Sequence, residues 1–145
     1  MQFSAKAEYA CLSMLELAVR HDDPRPVRLA DVADQHGIPQ RFLVQILLQL
    51  KGAGLVASTR GASGGYQLAR PPADITLFDI LEVVDRSDDE VSKTNRPTNK
   101  KGDASSLSSA LHGVWDRIVQ SRQQILKQTT LAHLVEAGQG LQYVI

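Results

Sequence analysis

From residue 4 to residue 20 apolar side chains return every three or four positions, with Tyr9, Leu12, Leu15 and Val19 in step and Ser4 placed to cap the first turn. That spacing predicts a helix. The run His21-Asp22-Asp23-Pro24-Arg25-Pro26 interrupts it with prolines and aspartates and reads as a loop. Val27-Arg28-Leu29 fits a very short strand, and Asp31 to His36 a short helix stopped by Gly37 at the C′ position. Pro39 restarts a helix near its first turn, where a missing N–H costs nothing. That helix reaches about Lys51, with Phe42, Leu43, Ile46, Leu47 and Leu50 as its apolar face and Gly52 and Gly54 at its end.

The next pattern has a different period. Leu55 to Thr59 and Tyr66 to Ala69 bracket the turn Arg60-Gly61-Ala62-Ser63-Gly64-Gly65, which is a hairpin signature closed by Pro71-Pro72. Thr76 then opens a short helix, with Asp79 at the capping-box distance and Leu77, Ile80, Leu81 and Val84 as its apolar residues. From Ser87 to Ser106 almost every residue is polar, which predicts a mobile loop. Beyond it Leu107, Leu111, Val114, Ile118 and Ile125 follow a near-heptad spacing, so Leu107 to Thr129 reads as one long amphipathic helix. A short tail helix is expected at Leu131–Glu136, ended by Gly138. The pattern divides the chain into residues 1–86, a flexible loop at 87–106, and a helix with tail at 107–145.

Composition narrows the class. A chain of 145 residues with 43% apolar and 22% charged side chains can bury one main core. No apolar run approaches the roughly 20 residues a membrane span needs, and the N-terminus lacks the form of a signal peptide. Cys11, the only cysteine, rules out an internal disulfide framework. A soluble protein in a reducing cytoplasm is the expectation. The 16 basic and 16 acidic side chains cancel, yet no acidic residue falls between Asp34 and Asp74. Arg41, Lys51, Arg60 and Arg70, with His36, lie in that interval. Folded together they make a positive surface, and such a local field attracts a phosphate backbone whatever the total charge.

The order helix, short helix, tight turn, helix, hairpin is that of a winged helix-turn-helix, so the expected fold is mainly α with a small β-hairpin and a long C-terminal dimerisation helix. The second helix of the pair would present Gln40, Arg41, Val44, Gln45 and then Gln49 to a major groove. Glutamine suits adenine, arginine suits guanine or phosphate, and valine suits a thymine methyl. Arg60, at the base of the Gly61, Gly64 and Gly65 tip, suits a narrow minor groove. Lys6 and Lys51 are candidate phosphate contacts. A phosphate-binding loop of a nucleotide enzyme is the competing reading of the glycines, but such a loop opens a helix, and here Tyr66-Gln67-Leu68 is strand-like. No nucleophile–base pair suggests an enzyme. A helix from Leu107 to Thr129 also carries more apolar surface than the first domain can cover, which calls for a second copy and would set two reading helices about 34 Å apart.

At these residues the chain resembles the Rrf-two (IscR/CymR/NsrR-like) family of bacterial winged-helix transcription regulators. The resemblance rests on Phe3-Ser4-Ala5-Lys6-Ala7-Glu8-Tyr9-Ala10, on Leu29-Ala30-Asp31-Val32-Ala33 with Gly37-Ile38-Pro39, and on Leu50 to Val56. It also rests on the wing Arg60 to Pro71 and on Thr129-Thr130-Leu131-Ala132-His133-Leu134. It implies a homodimer on double-stranded DNA, with the long helix crossing its partner, and a transcriptional regulator, expected to be a repressor. Many members hold an iron–sulphur cluster through three cysteines before the long helix, where this chain has Ser109, Asp103 and roughly Pro97. His112 stands where some members have a histidine ligand, but a histidine without thiolates is a weak site. No cofactor and no metal are therefore expected. Val44 occupies a place that is often glutamate in the family, which bears on the operator sequence. The effector stays open, as does a redox role for Cys11. The alternative function is a protein-interaction module that keeps the winged scaffold and no longer binds DNA.

Overall fold

Helix α1 (Ala5–Val19) begins where its cap predicts: the Ser4 hydroxyl accepts from the Ala7 amide at 3.1 Å. The computed structural model describes residues 3–92 and 105–142 of the chain. Ala10, Met14 and Leu17 of α1 are buried at the centre of the main core, with Leu43, Leu47 and Leu50 from α3 (Gln40–Gly52) and Ile80 and Val84 from α4 (Leu77–Ser92). Removing the cap isolates its worth. Ser4→Ala should cost about 1 kcal/mol in urea unfolding at fixed protein concentration; a change within a few tenths of zero would show that the hydroxyl is not needed.

Helix α2 (Leu29–His36) starts two residues before the expected Asp31 and ends on Gly37, whose φ of +63° is the left-handed conformation that glycine adopts cheaply. Pro39 stands at the N-cap of α3 rather than inside it; its carbonyl accepts from the Phe42 and Leu43 amides. Gly52 belongs to α3, and Gly54, at φ +79°, makes the turn into the wing. Phe42 is a correction to the expected apolar face. It is 47% exposed, while Leu43, Ile46, Leu47 and Leu50 alone turn inward.

Strands β1 (Val56–Thr59) and β2 (Gly65–Leu68) pair antiparallel, Val56 opposite Leu68 and Thr59 opposite Gly65. Val27 adds one bridge to Tyr66, donating and accepting at 2.9 and 2.8 Å, so the short strand read at Val27–Leu29 is reduced to a single residue pair. Thr76 and Asp79 close the expected capping box at 3.0 and 3.1 Å. Helix α4 does not stop near Ser87 as composition suggests but continues to Ser92. Residues 93–104, the remainder of the expected loop, lie outside the described residues.

Helix α5 (Ser106–Gln128) is capped by Ser105, whose hydroxyl accepts from Ser108. Its C-terminal end is pinned to the winged domain. Leu77 donates to the Thr129 carbonyl at 3.0 Å, Leu131 donates to the Ile75 carbonyl at 2.9 Å, and Leu126 packs with Ala7 and Leu81. Helix α6 (Leu131–Gln142) runs through Gly138, the expected stop, and through Gly140. Among the described residues no helix is long and apolar enough to cross a membrane.

Candidate nucleic-acid interface

The apolar spacing of α3 decides which way its polar side chains face. With Leu43, Ile46, Leu47 and Leu50 inward, Gln40, Arg41, Val44 and Gln45 fall on the opposite face, and all four are exposed. Leu48 and Lys51 continue that face toward the wing. The Arg41 guanidinium lies 5.2 Å from the centre of the Phe42 ring, so the exposed aromatic steadies the cation beside it. Gln49 departs from expectation: its side-chain carbonyl oxygen is enclosed and has no hydrogen-bond partner.

Between the C-terminal half of α3 and the hairpin lies a groove of about 500 Å3. Arg28, Lys51 and Arg60 line it, together with Leu48, Ser58 and Thr59, and no carboxylate does. Other basic residues of the acid-free interval are engaged elsewhere. His36 Nε2 meets Glu16 of α1 at 3.0 Å, and Arg70 is 3.9 Å from Asp79. Arg25, just outside it, is held by Asp23 at 2.8 Å, and that contact lowers the Asp23 carboxyl to about 2. The positive surface is therefore narrower than the sequence interval. Lys6 is half-buried on α1, has its own contact, and does not line the groove.

The tip glycines approach a backbone closely, but it is their own. A Cβ on Gly64 would run into the Thr59 carbonyl, and one on Gly65 into the Val27 carbonyl. Gly64 donates to Gly61 across the turn at 3.0 Å, with Gly61 at φ +105°. These residues shape the hairpin and seat it on Val27, while the exposed Arg60 carries the charge. Sequence reading missed Arg28, Phe42 and Leu48. Arg28 sits beyond a proline-rich loop, far from the wing in sequence, and the other two were hidden by their apolar character.

The donors present do not suit a thiolate-held iron centre. Among the described residues no three His, Cys, Asp or Glu side chains cluster to hold a metal. His112 Nδ1 is 2.7 Å from the Ser108 carbonyl of its own helix, and the expected counterparts Asp103 and Pro97 lie outside the described residues. Cys11 is half-buried on α1, and burial first, then the Asp85 charge, raises its thiol to about 11. A neutral thiol is a poor redox sensor. Relative to the ordinary 9.0, the shift leaves about a hundredfold less thiolate. Native protein at pH 8 should alkylate with iodoacetamide at least that much more slowly than urea-unfolded protein; equal rates would place the thiol in water.

Residues 3–137 match the family described as Rrf2: Iron-dependent Transcriptional regulator. The HTH-type transcriptional regulator IscR of Vibrio atlanticus is 32% identical over 142 residues, covering 98% of this chain and 79% of that protein. Among solved structures, IscR of T. potens superposes with a TM-score of 0.77 at 32% identity, covering 95% of this chain and 88% of that one. CymR, the global cysteine regulator of B. subtilis, superposes with a TM-score of 0.76 at 31% identity, covering 94% and 98%.

Proposed function

The chain belongs to the Rrf2 (Rrf-two) family of transcriptional regulators, which are not enzymes, and on that footing we propose that it acts in the cytoplasm as a homodimeric, sequence-specific DNA-binding repressor without an iron–sulphur cluster. In this reading Gln40, Arg41, Val44 and Gln45 meet base edges in the major groove. Arg60 enters the adjacent minor groove, Gly64 and Gly65 keep the tip thin enough to follow it, and Lys51 and Lys6 take phosphates. The observation that carries it is the acid-free groove between α3 and the wing, lined by Arg28, Lys51 and Arg60.

Two further features support the finer points. Leu107, Leu111, Val114, Ile118 and Ile125 of α5 are all exposed in the single chain, Leu107 at 81%, and a contiguous apolar stripe of this kind calls for a partner surface. A second copy supplies it and gives two reading helices, one for each half-site. A single cysteine in the chain speaks against a thiolate-held cluster, because cluster iron requires several soft anionic ligands.

Titration of the protein against a labelled random-sequence duplex over a range of salt tests the reading. Binding should weaken steeply as salt rises, through counterion release. On a duplex selected by the protein, Arg60→Ala should cost about 1–3 kcal/mol. Absence of binding at low salt would favour the interaction-module alternative, and an unchanged Arg60→Ala affinity would remove the minor-groove role.

A further inference from the structure

We infer that Arg28 is a positioning residue for the wing: it ties the hairpin tip to the start of α2 and so fixes where Arg60 meets DNA relative to α3. This rests on the DNA-binding reading above. A two-stranded hairpin is at best marginally stable by itself, and this one must hold an arginine in register with a helix on another part of the domain. Its second strand is well anchored. The Val27–Tyr66 bridge secures β2, and Gln67 donates to the Pro24 carbonyl at 3.0 Å. The tip, beyond Thr59 and before Gly65, extends past those anchors. Among the described residues its hydrogen bond to the rest of the domain is the one from Arg28, whose Nη2 donates to the Ala62 carbonyl at 3.2 Å across 34 positions of sequence.

Arg28 is suited to that work by where its own backbone stands. It follows Val27 of the bridge directly, and its carbonyl accepts from the Asp31 and Val32 amides at the start of α2. Its Cα is thus held by both the hairpin and the helix-turn-helix. The guanidinium has no carboxylate partner among the described residues and lines the same groove as Lys51 and Arg60. Arginine has five N–H donors in a rigid fork. One serves Ala62, and the rest stay available to a phosphate in the groove. Lysine would keep the charge but lose the fork, so the two contributions are separable.

The test compares Arg28→Ala and Arg28→Lys with wild type, using a labelled duplex selected by the wild-type protein and a random duplex of equal length. Arg28→Ala should lower affinity for the selected duplex by about tenfold or more, with a smaller loss on the random one, and Arg28→Lys should restore mainly the random binding. In the Arg60→Ala background, Arg28→Ala should cost on the selected duplex only the smaller loss it shows on the random one, since the part that acts through Arg60 is not additive with it. In DNA-free protein, backbone 15N relaxation should show the amides of Gly61 to Gly64 more mobile in both Arg28 variants. Full additivity with Arg60→Ala, complete rescue by lysine, or an unchanged tip would overturn the inference. Failure of the wild-type protein to bind any duplex would defeat the function reading, and the relaxation measurement would still decide whether Arg28 tethers the tip.

Discussion

Replacing Ile118 by glutamate should convert the proposed dimer into a folded monomer. Ile118 lies midway along α5 and is 41% exposed in the single chain, so a charge there costs the protomer little, and the far-ultraviolet circular dichroism should not change. In a paired α5 the same carboxylate would be enclosed among Leu111, Val114 and Ile125 of either copy, and even with Arg122 one turn away the cost of stripping water from a charge there is large enough to break the pairing. Loss of the second half-site removes the avidity of two linked reading heads, so affinity for a selected duplex should fall at least about a hundredfold. The slope of log affinity against log salt should fall to about half, because half the phosphates are neutralised. Sedimentation at micromolar protein measures the first effect and anisotropy the second. A variant that stays dimeric would show that α5 is not the dimer contact.

Gly65→Ala should damage the wing more than its single added methyl suggests. The new Cβ would collide with the backbone carbonyl of Val27, and a backbone held by two hydrogen bonds to Tyr66 cannot swing aside as a long side chain would. Either the Val27–Tyr66 bridge opens or the hairpin tilts, and the overpacking should cost about 1–3 kcal/mol in stability. Arg60 would move with the tip, so DNA affinity should fall by about tenfold or more. Gly138→Ala is the control. It meets no neighbour within 4 Å inside α6, so it should be neutral or stabilise by up to about 1 kcal/mol. If Gly65→Ala kept both wild-type stability and affinity, the close approach at Val27 would not matter.

Both variants probe features that differ in how far the chain alone reveals them. The Ser4 cap, the Gly37 turn, the Thr76–Asp79 box and the presence of a glycine-turned hairpin are local signals, though Gly65, read as turn, is the first residue of β2 opposite Thr59. Those were readable. The apolar stripe of α5 was readable too, since heptad spacing reports an uncovered face without naming its cover. What escaped depended on distant partners. Phe42 reads as core by hydropathy, but the three-dimensional packing of α3 against α1 and α4 leaves it outside beside Arg41. The polar composition after Ser87 hid the last turns of α4, and Gly138 failed to stop α6 because glycine only lowers helix propensity. His36 and Arg70 read as part of the positive face in sequence, because their partners Glu16 and Asp79 stand on other elements. Arg28 was missed for the same reason, its contact at Ala62 being 34 residues away.

Selection of bound duplexes from a random pool tests the central claim most directly. A dimer with two reading heads should enrich inverted half-sites whose centres lie about one helical turn, roughly 34 Å, or a multiple of it apart, and Arg60→Ala should relax preference only at the positions flanking each half-site. A pool that stays random after repeated rounds, or that yields single sites without two-fold symmetry, would contradict it.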